Sequence, residues 1–425
     1  MERVSETPRR RSPSWRWWIC GLLLLASAIN YMDRQTLANA SVRITTQFDL
    51  TQAQYGRLEW YFGWAFAAGS VVFGVLVDRF SVRWIYPSVL LLWSATGFAT
   101  GLARNYDELL ICRTLLGLFE AGHWPCAIKT TQRLLDPKDR AMGNGLLQGG
   151  ASIGAILTPL IMQTMLTREL GSWRVPFQVI GAIGAVWILF WFAMVRAGDV
   201  SPMRTPTVEP ASSTSKPAAS WRVLLSRRMM VVLVMIACIN TGWQILRAWL
   251  PKFLMEGRGY SEADALHFNS LYYVATDVGC LGAGALTLWL ARRGLPVHRS
   301  RLLVFFSCAL MTAMSISVLV LPKGWLLLAM LLVVGAGALG VFPIYHALTQ
   351  ELSPHHQGKV TGIAGVAAWA LSPVQTLFGR LIDRTGSFDV GFAVAGCLPL
   401  VAFLALWLFW DSPPGRPIAP APAST

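Results

Sequence analysis

The stretch INYMDRQTL, residues 29–37, sets an aspartate beside an arginine inside a long apolar run. A charged side chain at the centre of a membrane helix costs roughly 2.5–3.5 kcal/mol or more, so ionisable groups there usually serve a function. In a helix Asn30 and Arg34 share a face, and Asp33 sits about 100° round from Arg34. A second apolar run repeats the theme. Arg113, Gly117 and Glu120 fall at i, i+4 and i+7, one stripe of a helix, with His123 three residues further on. Two acids and two arginines are thus offered at comparable depth.

The chemistry these residues permit is the joint handling of an anion and a proton. A carboxylate is held best by the forked donors of an arginine. An arginine already paired with an acid is not available, and protonating Asp33 or Glu120 would release one. Anion binding would in turn favour protonation of the acid, because a charge left unpaired in a low dielectric is costly. Proton and anion would then bind together, which is the linkage a symporter needs. A plainer reading, ion pairs that lock two helices together, is compatible with this one. His123 can serve as a packing and hydrogen-bonding residue or as a proton relay.

Membrane helices must position such groups. The chain has 425 residues, 54% of them hydrophobic and 14% charged, against about 25% charged in an ordinary soluble domain. Thirty-seven glycines and nineteen tryptophans suit close-packed membrane helices and their interfaces. Apolar runs of spanning length are expected near 17–41, 57–77, 84–103, 107–129, 141–166, 174–195, 229–251, 268–290, 301–321, 324–348, 360–382 and 388–410. Twelve spans put both termini on one side. Lys and Arg gather on that side, so the termini are expected in the cytoplasm. The net charge of +14 therefore reports orientation and attraction to anionic lipid headgroups, and nucleic acid is not an expected partner. Arg9, Arg10, Arg11 and Arg16 precede an apolar segment ending in Ala26-Ser27-Ala28, which mimics a signal peptide. Removing it would spoil the charge balance, so it is read as the first span.

A Pro/Ser/Thr-rich stretch divides the chain into two blocks of six spans. The expected organisation is an N-terminal tail (1–16), a six-helix bundle (17–196), a cytoplasmic linker (197–228), a second bundle (229–410) and a tail (411–425). Leu135-Asp-Pro137 and Leu352-Ser-Pro354 each stand eight residues before a glycine that opens a fifth span, an echo between the halves. Seven scattered cysteines form neither a metal-ligand spacing nor a disulfide framework. Neither metal nor cofactor is expected, and no nucleophile–base pair suggests an enzyme.

The second half carries fewer charges. Asn240, Gln244 and Arg247 share a stripe; Asn269, Tyr272, Tyr273, Thr276 and Asp277 mark the eighth span, and Trp369 and Ser372 the eleventh. Amides, hydroxyls and aromatic rings suit a polyhydroxylated ligand, though they serve equally as interhelical glue. Arg247, near the outer end, can simply reach the interface. Between the second and third spans, Gly74, Asp78, Arg79 and Arg83 can form a helix-to-helix latch that opens when the halves rock.

Taken with its place after the second of twelve spans, this loop resembles that of the major facilitator superfamily, with Ser81 where the family usually has glycine. NYMDRQTL, the Arg113–Gly122 pattern R-x3-G-x2-EAG, LLDPKDRAMGNG, RAWLPKFL and TDVGCLGAG are similar to the anion:cation symporter branch, especially its hexuronate and aldonate transporters. The resemblance covers about residues 16–410. It implies an all-α membrane protein of twelve transmembrane helices in two six-helix bundles. It also implies Asp33 and Glu120 as proton-coupling acids, Arg34 as the carboxylate ligand and Arg113 as the residue that holds Asp33. Tyr31, Gln148, Asn240 and Ser372 fall where relatives line the site. His123-Trp124 stand where many relatives have Asn-Phe, and Phe66 where some aldonate transporters have tyrosine. The expectation is a monomeric inner-membrane importer that couples a small carboxylate, a hexuronate or related sugar acid, to protons by alternating access. A carrier of another carboxylate, such as an aromatic one, and a non-transporting membrane sensor of the same fold are the alternatives.

Overall fold

The computed structural model describes residues 13–136, 139–196, 199–200, 226–351 and 357–410. Most of the expected linker, the far C-terminal tail and the Leu352–Pro354 half of the internal echo lie outside the described residues.

The regular structure of the described residues is all helical, without strands. In the first half run α1 (Pro13–Asn39), the short α2 (Ser41–Gln47), α3 (Gln52–Arg79), α4 (Val82–Thr100), α5 (Tyr106–Glu120), α6 (His123–Leu134), α7 (Arg140–Met165) and α8 (Arg174–Met194). In the second run α9 (Arg227–Lys252), α10 (Glu262–Arg292), α11 (Val297–Ala313), α12 (Trp325–Gly340), α13 (Phe342–Glu351), α14 (Gln357–Ala370), α15 (Val374–Thr385) and α16 (Asp389–Phe409). Eight helical stretches of the described residues are each long and apolar enough to cross a membrane.

Helix starts follow local side-chain chemistry. Thr51 accepts from the Gln54 amide while Gln54 returns a bond to the Thr51 amide, a reciprocal cap that starts α3. Asn105 caps α5 through the Glu108 amide, and Ser226 caps α9 through the Met229 amide. Three expected spans are broken in mid-course. The 107–129 span divides at Ala121–Gly122, the 324–348 span at Val341, and the 360–382 span at 371–373. A proline stands within three residues of each break: Pro125, Pro343 and Pro373. Proline offers no amide hydrogen and its ring crowds the carbonyl four residues back, so the helix restarts instead of continuing.

The chain divides into two compact units. One comprises the described residues up to 200 together with 261–270 and 375–383; the other comprises 226–260, 271–374 and 384–410. In the first unit α1 packs on α7, α3 on α5, and α4 on α8 and α5. Its buried aromatic side chains include Trp93, Trp173, Trp187 and Trp191. Here Arg43 gathers four bonds: both carboxylate oxygens of Glu262 at 2.7 and 2.6 Å, the Glu169 carbonyl at 2.7 Å and Ser172 Oγ at 2.8 Å. The bonded, charged Glu262 holds the Arg43 guanidinium above its ordinary range. Asp383 accepts the Gln52 and Ala53 amides at the start of α3, at 2.8 and 2.9 Å. A carboxylate suits the positive end of a helix. In the second unit α9 packs on α16 and α14, and α11 on α12 and α16.

Candidate substrate and proton site

The face that α3 turns to α5 decides the site. Gly117 lets the two helices meet, because a Cβ there would run into the Phe62 carbonyl. That contact puts Phe62 beside Arg113, whose guanidinium carbon lies 4.2 Å from the ring centroid. One turn before Phe62 stands Glu59. Arg113 Nη2 donates to Glu59 Oε1 at 2.9 Å, and both side chains are almost wholly buried.

This pairing corrects an expectation. Arg113 does not hydrogen-bond to Asp33, the partner implied by the resemblance; Glu59 occupies it. Glu59, near the start of the expected 57–77 span, is not among the expected site residues. The cap at Thr51 starts α3 early enough to carry Glu59 two turns into the helix.

Arg34 is the second buried cation. Its Nε donates to Glu120 Oε2 at 2.5 Å. Three aromatic rings surround its guanidinium: Phe66 at 4.7 Å, Tyr31 at 5.3 Å and Phe62 at 5.5 Å from their centroids. Aromatic faces attract a cation most when water is excluded, so this setting holds the guanidinium in place without using up its donors.

Asp33 completes the group. It is 1% exposed, lies within electrostatic reach of Glu120, Arg113 and Arg34, and neither of its oxygens has a hydrogen-bond partner among the described residues. Asn30, one turn earlier and wholly buried, has both amide atoms in the same condition. Buried polar atoms are nearly always paired, with protein or with ordered water, so adjacent orphans on one helix single this place out as a candidate site. Across from Asp33 is Gly97 of α4, where a Cβ would lie 2.9 Å from Asp33 Oδ1.

His123 closes the neighbouring wall. Its Nε2 bonds Ser27 Oγ at 2.9 Å and its Nδ1 bonds the Tyr86 hydroxyl at 3.0 Å, with Trp93 edge-on at 5.8 Å. Both nitrogens are used, which supports the packing and hydrogen-bonding role.

Other expected site residues lie elsewhere. Gln148 is exposed on α7, outside the ion-paired cluster. In the second unit Arg247 is buried and donates from Nε to Gln244 Oε1 at 2.8 Å, so it does not extend to an interface. Asn240 bonds its own helix at the Ile236 carbonyl. Tyr272 is buried against Gly335, Trp369 is buried, and Ser372 Oγ donates to the Trp369 carbonyl at 2.6 Å. Asp277 is half-buried on α10.

The loop latch also differs in its partners. Asp78 bonds Lys129 Nζ of α6 at 2.8 Å, while Arg83 donates to the Val195 carbonyl and Arg79 is exposed at the end of α3. A Cβ on Gly74 would meet nothing within 4 Å, so close helix approach does not explain that glycine here.

A helical chain with a buried two-arginine, three-acid cluster among its apolar spans has the makings of a membrane carrier. The Major Facilitator Superfamily model matches residues 23–374, and the chain belongs to that family of multi-pass membrane transporters; it is not an enzyme. Its helices make up the twelve-span, two-bundle fold of the family. The fold matches the crystal structure of a bacterial homolog of the human lysosomal transporter Spinster with a TM-score of 0.79. That likeness has 17% identity and covers 94% of this chain and 98% of the other. The chain is 27% identical to a probable sulfoacetate transporter of Cupriavidus necator over 92% of its length and 93% of the relative's. It is 22% identical to the hexuronate transporter of Escherichia coli K12, over 96% and 97%.

Proposed function

We propose that this transporter takes up a sugar acid together with protons, by alternating access, across the cytoplasmic membrane with both termini inside. One observation carries the reading. Arg34, a buried forked cation in an aromatic setting, is bonded to Glu120, and beside it lies a carboxyl, Asp33, with no hydrogen-bonded partner among the described residues. An incoming carboxylate takes Arg34 bidentately. Glu120, displaced, is then a buried acid without its cation and accepts a proton. Anion and proton therefore bind as a pair, and acid on the outside drives loading while the more alkaline cytoplasm favours release. The amides and hydroxyls of Asn240, Gln244, Tyr272 and Ser372 serve the polyol part of the substrate, with Trp369 as a ring surface. Gln148 and Tyr31 are the corresponding lining residues in the first half, and Gly74, Asp78, Arg79 and Arg83 act as the cytoplasmic latch. The working unit is a monomer.

The names of relatives such as the E. coli hexuronate transporter support a sugar acid. A second reading, a small carboxylate bearing a further anionic group, is favoured by the higher identity to the probable sulfoacetate transporter. Proteoliposomes with an inward pH gradient test both. Glucuronate, galacturonate, galactonate and sulfoacetate are offered in turn. Accumulation of a sugar acid above its no-gradient level is the expected result. Accumulation of sulfoacetate alone moves the assignment to the second reading, and equal uptake with and without the gradient removes proton coupling.

A further inference from the structure

Taking Asp33 as a proton-coupling acid, we infer that Glu59 is the residue that sets its protonation state, by holding Arg113 in a buried ion pair and so denying Asp33 a cation. The argument is one of charge balance. The cluster contains three acids, Asp33, Glu59 and Glu120, and two arginines, Arg34 and Arg113, and all five side chains are buried. Arg34 is bonded to Glu120 at 2.5 Å and Arg113 to Glu59 at 2.9 Å. One acid exceeds the cations, and Asp33 is the one without a hydrogen bond among the described residues. A buried carboxyl with no partner is far cheaper neutral than ionised. The surplus proton therefore resides on Asp33, and it resides there because Glu59 is ionised.

The other charged groups near α3 are engaged elsewhere. On α3 itself Arg57 interacts with Tyr106. On α6, His123 is bonded to Ser27 and Tyr86, and Lys129 to Asp78. Arg133, at the far end of α6, donates to the Val200 carbonyl. Arg43 of α2 is taken by Glu262. Arg83 of α4 donates to the Val195 carbonyl. Arg113 is thus the cation over which Glu59 and Asp33 compete, and Phe62 keeps its guanidinium in place for either.

Removing the charge of Glu59 changes the balance to two acids against two arginines. Arg113 then turns to Asp33, which ionises, and the resident proton is lost. Nothing about substrate identity enters, so the test is spectroscopic and needs no transport. Infrared spectra of the reconstituted protein at neutral pH report the carbonyl band of a protonated, buried carboxyl. The wild type is expected to show a band that Asp33→Asn abolishes. Glu59→Gln should abolish that same band, Glu59→Asp should keep it, and the double variant Glu59→Gln/Arg113→Gln should restore it, since no spare cation then remains. Persistence of the Asp33 band in Glu59→Gln overturns the inference, as does its loss in the double variant. A wild type without an Asp33 band overturns it as well. Folding is checked by the retention time of each purified variant. Should Glu59→Gln fail to fold, the Arg113→Gln variant decides. It must keep the Asp33 band and add a second one, from a Glu59 left without its cation; a spectrum like the wild type's also overturns the proposal. Failure of sugar-acid uptake would leave these bands untouched, so the two readings fail separately.

Discussion

The two units treat buried polarity differently. The first concentrates formal charge, with Asp33, Arg34, Glu59, Arg113 and Glu120 gathered on α1, α3 and α5. The second spreads amides, hydroxyls and rings over α9, α10 and α14; its buried Arg247 is bonded to a neutral amide, and its buried Lys252 pairs with the partly exposed Glu256 just beyond the end of α9. Buried charges must be matched one for one, so a proton entering or leaving shifts every partner. Neutral hydrogen bonds cost less to rearrange and discriminate by shape. Under the proposed function, energy coupling falls to the first unit and recognition of the uncharged part of the substrate to the second.

The sharpest way to break that division is Arg34→Gln. It removes the carboxylate fork and leaves Glu120 without its cation, and breaking a buried pair costs about 3–5 kcal/mol. Uptake in proteoliposomes should fall at least about 100-fold, and retained uptake would move anion binding out of the first unit. Glu120→Gln should come next. Gradient-driven accumulation should disappear while counterflow persists, and the dependence of initial rate on external pH should flatten. The sign matters: in the wild type, falling external pH should raise the rate, because protonation releases Arg34. A Gln244→Ala change in the second unit should raise KM about fivefold, near 1 kcal/mol, and alter the ranking of sugar acids while leaving the pH profile unchanged. A changed pH profile there would blur the contrast. Gly97→Ala, which drives a methyl against Asp33 Oδ1, should alter the pH profile with little effect on KM. The smallest effect is expected at Arg43→Ala. Its pair with Glu262 is partly exposed, so thermal unfolding should change by about 1 kcal/mol or less.

Sequence periodicity made much of this legible. Stripes at i, i+4 and i+7 put Arg113, Gly117 and Glu120 on one buried face, as the structure has them. The twelve apolar runs likewise foreshadowed the helices. The partners of the charges were harder to read, because pairing depends on which helices touch. Arg113 was assigned to Asp33 since both lie in recognisable patterns. Glu59 sits near a span edge, and only the Thr51 cap reveals that the helix begins before it. Asp78 and Lys129, 51 residues apart, could not be matched from spacing at all. The breaks at Ala121 and Val341 were signalled by nearby prolines, but hydropathy alone runs through them.

His123 fastens three helices with one imidazole, reaching Ser27 on α1 and Tyr86 on α4. Ser27 precedes Arg34 by seven residues, or about 10 Å of helix rise. Sliding α1 lengthwise would tear at least one of these bonds, so the ring acts as a depth gauge for the arginine two turns below it.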